Sequence, residues 1–162
     1  MSKIILGAII LLSLSCSSGD KRDKNSPNVV FHIKYTTPCK NSYKKPYKEY
    51  KLNETDVIEV SCFKDRAKGG FAIPWKYTEG RSDLMIAERG RDAGAYWESS
   101  AFLFLIQDES ILWIREKNED KNSCTSTERF YKWNIGKKIF IETQYKGELP
   151  PLSVQEKRSS CD

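Results

Sequence analysis

Histidine occurs once among the 162 residues, as His32, and methionine only twice. The scarcity of imidazole narrows the chemistry at once. A Ser-His-Asp set would have to use His32, which lies inside a strand pattern. No Cys-x-x-Cys, His-Glu-x-x-His, Walker loop or dinucleotide fingerprint is present. Glu98, Asp108 and Glu109 read as carboxylates that solvate turns rather than as an acid–base pair. The chain is therefore not expected to be an enzyme: it has no candidate catalytic residue, and neither a cofactor nor a metal is expected. Long apolar runs are also missing. The longest, Ile4 to Ser15, has twelve residues, whereas a spanning helix needs about 20. Nor does any stretch carry a long, capped apolar stripe of helical period.

What the chain does have begins at its start. Met1-Ser2-Lys3 is short and basic, Ile4 to Ser15 is apolar and small, and Cys16 stands at the polar edge before Ser17-Ser18-Gly19-Asp20-Lys21-Arg22-Asp23-Lys24. A positive end, a short apolar run and small residues before a cut are the parts of a secretory signal. Residues 17–27 have no side chain able to join a core and read as a polar tether. The organisation expected is a signal over 1–15, a lipidated cysteine and tether over 16–27, and one domain over 28–162.

The placement of Cys16 resembles a bacterial lipoprotein signal. In that family a peptidase cuts just before the cysteine, whose thiol carries a diacylglycerol. The resemblance covers Met1 to about Ser18. Ser13 stands where the family usually has Leu three residues before the cysteine, which is similar to a relaxed version of the motif. It implies acylation of Cys16, anchoring in membrane lipid and, because Ser17 rather than Asp follows, export to the outer membrane, on its periplasmic or surface face. One acyl chain holds a protein only marginally, at about 0.8 kcal/mol per buried CH₂. Family members carry more than one.

Removing residues 1–15 leaves 147 residues, enough for a single domain with a true core. It also removes Lys3, so 26 Lys and Arg face 22 Asp and Glu, a mature charge of +4. That mild excess does not call for a nucleic acid partner. After Cys16 four cysteines remain, Cys39, Cys62, Cys124 and Cys161. An even number in an exported domain reads as two disulfides with three possible pairings. The local pair Cys39–Cys62, leaving Cys124–Cys161, is preferred.

Most of the domain carries strand patterning: Val29 to Tyr35, Val57 to Phe63, the period-2 series Phe71, Ile73, Trp75 and Tyr77, Leu84 to Ala87, Ala101 to Ile106, Ser110 to Arg115, Arg129 to Trp133 and Lys138 to Thr143. Pro74 points to an edge strand. Continuous apolarity over Ala101 to Ile106 predicts a strand covered on both faces. Gln107-Asp108-Glu109 and Asn134 to Lys137 read as hairpin turns. The best helical candidate is Tyr43 to Leu52, with Tyr43, Tyr47 and Tyr50 at i, i+4, i+7. The fold expected is mostly β: a small antiparallel barrel or sandwich of about eight short strands, stapled by two disulfides.

Two stretches are candidate binding segments. Lys40 to Lys51 interleaves lysines with Tyr43, Tyr47 and Tyr50, and Tyr43, Lys44, Lys45 and Tyr47 could meet an acidic glycan or phosphate; a solvated surface segment with its rings on the body is the favoured reading. Arg89 to Glu98 reads as an exposed loop in which Arg89, Arg91, Tyr96 and Trp97 are of the types enriched in binding hot spots, though a long turn leading into the next strand is favoured. Ala93-Gly94-Ala95-Tyr96 with Trp113 faintly resembles the Ser-Gly-x-Tyr-like loop and strand Trp of membrane-bound lysozyme inhibitors. Ala93 stands where that family has the Ser that enters the lysozyme site. The leading expectation is a lipid-anchored envelope lipoprotein with a binding or structural role toward an envelope protein, peptidoglycan or a host molecule; lysozyme inhibition is the alternative.

Overall fold

The computed structural model describes residues 25–39, 46–64, 69–153 and 161. Cys16, Tyr43, Lys44 and Lys45 lie outside the described residues. The described chain forms nine strands: β1 (Asn28–Lys34), β2 (Pro46–Lys51), β3 (Val57–Lys64), β4 (Gly69–Ile73), β5 (Leu84–Asp92), β6 (Ala95–Ile106), β7 (Glu109–Glu119), β8 (Cys124–Asn134) and β9 (Ile139–Thr143). All pair antiparallel in one sheet, in the order β2-β3-β4-β5-β6-β7-β8-β9, with β1 paired to β6. One edge of β6 is shared. β5 takes its first residues, Asp92↔Ala95 to Arg89↔Glu98, and then leaves. β1 takes the rest, Lys34↔Ser100 to Asn28↔Leu105.

Every strand contributes to a single apolar cluster on one face, from Phe31 and Ile33 of β1 through Ile58, Val60, Phe71, Leu103 and Leu112 to Trp133 and Phe140. Eight strands about 4.8 Å apart would span roughly 35 Å if flat, too wide for one cluster, so the sheet must curl. The curl does not close by a ladder, and the sheet is not a barrel. Instead the seam is made by side chains and a single bridge. Tyr77 packs on Trp133 with ring centroids 6.2 Å apart, and Thr78 bridges to Phe140. At Pro74, just past β4, the chain leaves the ladder for a short 3₁₀ turn over Trp75–Tyr77. Thus the period-2 series stops at Ile73. Trp75 is 63% exposed rather than buried, and β4 is an internal strand, not an edge.

The expected helix over Tyr43 to Leu52 is instead strand β2 from Pro46. A register shift between Pro46 and Lys48 explains the misleading spacing. A bulge resets alternation, so residues three apart can face the same side. Tyr47 packs edge-on against Phe71 at 4.9 Å and Tyr50 against Phe31 at 4.5 Å.

β6 and β7 are covered on both faces, as the continuous apolarity of Ala101 to Ile106 requires. Ala101, Leu103, Leu112 and Ile114 face the main core. Phe102, Phe104, Ile111 and Trp113 face outward into a second cluster, where Phe130, Tyr145, Leu149 and Leu152 pack on them. His32, Phe102, Trp113 and Phe130 are cross-strand partners on β1, β6, β7 and β8. Their rings stack in sequence at 3.8, 5.1 and 6.1 Å, the cross-strand pairing that stabilises a sheet face. The Trp113 Nε1 donor is buried with no acceptor among the described residues, which costs about 1–3 kcal/mol.

Both expected disulfides are present, with Cα–Cα distances of 5.8 Å for Cys39–Cys62 and 5.5 Å for Cys124–Cys161, well inside the range a bridge spans.

Buried Asp56 organises the seam. It lies between β2 and β3; its Oδ2 accepts from Trp133 Nε1 at 2.8 Å and Asn53 Nδ2 at 3.0 Å, and its Oδ1 accepts from Thr55 Oγ1 at 3.1 Å and pairs with Lys138. The Lys138 ammonium, then the Trp133 and Asn53 donors, hold its carboxyl far below the ordinary carboxylate range. A carboxyl depressed on folding stabilises the fold above its unfolded pKa, about 3.9, and that stability drains away as pH falls further toward the folded value. Thermal melts should therefore show Asp56→Asn already weakened at neutral pH and flatter than the wild type below about pH 4. Parallel wild-type and variant curves across that range would remove Asp56 from the account.

Candidate functional site

The stretch expected as a loop between Arg89 and Glu98 is a hairpin. Its tip is a two-residue turn, Ala93 with φ 45° and Gly94 with φ 92°, the positive-φ pair that primed hairpin turns require. Only a glycine takes the second of these angles at no steric cost. With a turn this short the strands pair to the tip, so each side chain's face is fixed by register. Arg89 pairs with Glu98 and Arg91 with Tyr96 on one face, while Gly90 pairs with Trp97 on the other. The four hairpin residues expected to bind are therefore split. Arg89, Arg91 and Tyr96 belong together, and Trp97 lies behind them. Its indole covers Gly90 so closely that a Cβ there would fall on the ring.

On the front face Arg89 sits over two aromatic rings, Tyr35 at 5.3 Å and Tyr96 at 5.2 Å from their centroids. Both are within cation–π range. Tyr96 donates its hydroxyl hydrogen to Glu98. Burial first, then the Glu98 carboxylate, pushes the Tyr96 hydroxyl far above its ordinary pKa, so it remains protonated at any physiological pH. Glu98 is the acid across from Arg89, and the tyrosine occupies it. Elsewhere the cations of this face are paired with acids: Arg115 with Glu128 at 3.2 Å and Lys117 with Glu119 at 3.0 Å. Among the described residues neither Arg89 nor Arg91 has such a partner. Both are exposed. The patch thus offers two guanidinium groups, one seated over two aromatic rings, each with donors suited to a carboxylate or another planar anion.

Tyr47, the one described residue among the candidates Tyr43, Lys44, Lys45 and Tyr47, is half-buried against the main core. His32 is part of the aromatic stack on the outer face. Tyr35, which completes the arginine cradle, was not foreseen: it lies more than fifty positions from Arg89 in sequence, and its i, i+2 spacing from Ile33 marked it only as a core residue.

A second concavity lies at the other end of β6. It is an open groove of about 660 Å³ between Pro27, Leu52, Leu105 and Ile106, with Glu54 and Asp108 among its lining residues. Here the described chain begins, and Gln107 Nε2 donates to Asn25 Oδ1 at 3.2 Å. β6 runs from Ala95 at the arginine patch to Ile106 at the groove. At about 3.3 Å per residue, the entry of the N-terminal segment and the arginine patch stand roughly 30 Å apart. Comparison with protein-family models, curated proteins and solved structures finds no match.

Proposed function

We propose that the protein is a lipid-anchored lipoprotein of the bacterial envelope, held by acyl chains on Cys16 in the outer membrane. It serves as a binding module rather than an enzyme. The observation that carries this reading is the start of the chain: a basic end, twelve apolar and small residues, and Cys16 at the polar edge. Geometry adds a direction. Residues 16–24 reach at most about 30 Å when fully extended, and they join the domain beside the groove. The arginine patch lies at the opposite end of β6 from that junction. An anchored domain whose exposed Arg89 and Arg91 have no acid partner among the described residues is suited to meet a carboxylate-bearing partner, and peptidoglycan stems present such groups.

Two results follow. Cys16→Ser should move the protein from the membrane to the soluble fraction. The protein should also co-sediment with isolated peptidoglycan sacculi, and Arg89→Ala with Arg91→Ala should weaken that binding roughly tenfold, the equivalent of about 1.4 kcal/mol. Equal binding by the double variant would exclude the patch as the contact surface. A membrane-bound Cys16→Ser protein would exclude the anchor.

A further inference from the structure

The outer aromatic face of the sheet is covered by residues 144–153, a segment outside the nine strands. Tyr145 packs on Phe104 at 5.7 Å and on Phe130 at 5.6 Å, and Leu149 and Leu152 complete the cover. No backbone ladder ties this strap to β6, β7 or β8 among the described residues. Pro150 and Pro151 lack the N–H donors a ladder needs. Beyond the strap the chain is fastened to β8 by Cys124–Cys161, with the Cys161 amide donating to Ser126 Oγ at 3.2 Å. The two bridges differ sharply in access. Cys62 is fully buried in the main core and Cys39 packs beside it, whereas Cys124 is exposed and Cys161 half-buried. Beneath the closed strap the Trp113 donor has no acceptor among the described residues, and opening would hand it to water.

We propose that Cys124–Cys161 is a redox latch: its reduction releases the 144–153 strap and uncovers the aromatic surface of Phe104, Trp113 and Phe130 while the sheet stays folded. The chemistry is a thiol–disulfide exchange with a dithiol. A thiolate of the dithiol attacks one sulfur and the Cys124–Cys161 bond breaks. The second dithiol sulfur then closes the reagent into its own disulfide. Two electrons and two protons end on Cys124 and Cys161 as thiols.

The test is a dithiothreitol titration of the oxidised protein under native conditions, trapped with iodoacetamide and mapped by mass, with amide hydrogen exchange followed on the same samples. Cys124 and Cys161 should be alkylated before Cys39 and Cys62. At that stage exchange across 144–153 should rise roughly tenfold while the β6–β7 ladder keeps its protection. Cys161→Ser should reproduce the fast-exchanging strap without reductant. The latch is overturned if Cys39–Cys62 opens first, if the strap keeps its protection after Cys124–Cys161 is open, or if the β6–β7 ladder loses protection together with the strap. The titration decides the matter even where the variant fails to fold.

Discussion

Trp113→Ala should lower the free energy of unfolding by about 3–5 kcal/mol, read as a shift of the urea midpoint at unchanged slope. Trp113 is 1% exposed in the middle of β7. It stacks between Phe102 and Phe130 on the neighbouring strands, and Arg115 lies over its ring at 5.4 Å. Truncation would break the stack at its centre and open a cavity under a strap that has no ladder of its own to hold it. The chemistry of the replacement separates packing from hydrogen bonding. Because Nε1 has no acceptor among the described residues, Trp113→Phe keeps most of the apolar contact and removes that donor, so its cost should be less than half that of the alanine. A phenylalanine variant as damaged as the alanine would show that the indole N–H is bonded after all.

Replacing Cys39 and Cys62 together by alanine should cost about 3 kcal/mol by the loop-closure relation for a separation near two dozen residues. The bridge spans 23 positions and encloses β2, a strand at the end of the sheet with β3 as its only ladder partner among the described residues. Its loss should therefore be felt first at that edge. Hydrogen exchange should accelerate in β2 before β6 or β7, and the thermal transition should move down as a whole. Retention of the wild-type midpoint would mean that Tyr47 on Phe71 and Tyr50 on Phe31 hold the edge without help from the bridge.

Much of the sheet could be read from local pattern because one face of each strand is buried. Ile58, Val60 and Cys62 alternate with Glu59 and Ser61, and the register leaves them no other arrangement. The pattern failed where the backbone departs from regular alternation. The register shift at Pro46 and Lys48 gave β2 a helix-like spacing of tyrosines. Pro74 cut a four-member series in half, so that Trp75 ends in solvent. The strap was also hidden: Tyr145, Leu149 and Leu152 stand at i, i+4, i+7, a helical spacing that Pro150 and Pro151 interrupt, and only the aromatic face beneath explains them. At the arginine patch the residue types were readable, but their grouping was not. A two-residue turn places Tyr96 with Arg89 and sends Trp97 behind, and Tyr35 arrives from the turn that follows β1. The Asp56–Trp133 bond joins groups 77 positions apart, a distance over which local sequence carries no signal.

The proposed anchor depends most directly on the state of Cys16. The decisive measurement is the mass of the N-terminal peptide of the native protein extracted from membranes. The result expected is a peptide that begins at Cys16 and carries a diacylglycerol and further acyl chains. A peptide beginning elsewhere, or Cys16 without lipid, would contradict anchoring and return the arginine patch to a protein free in solution.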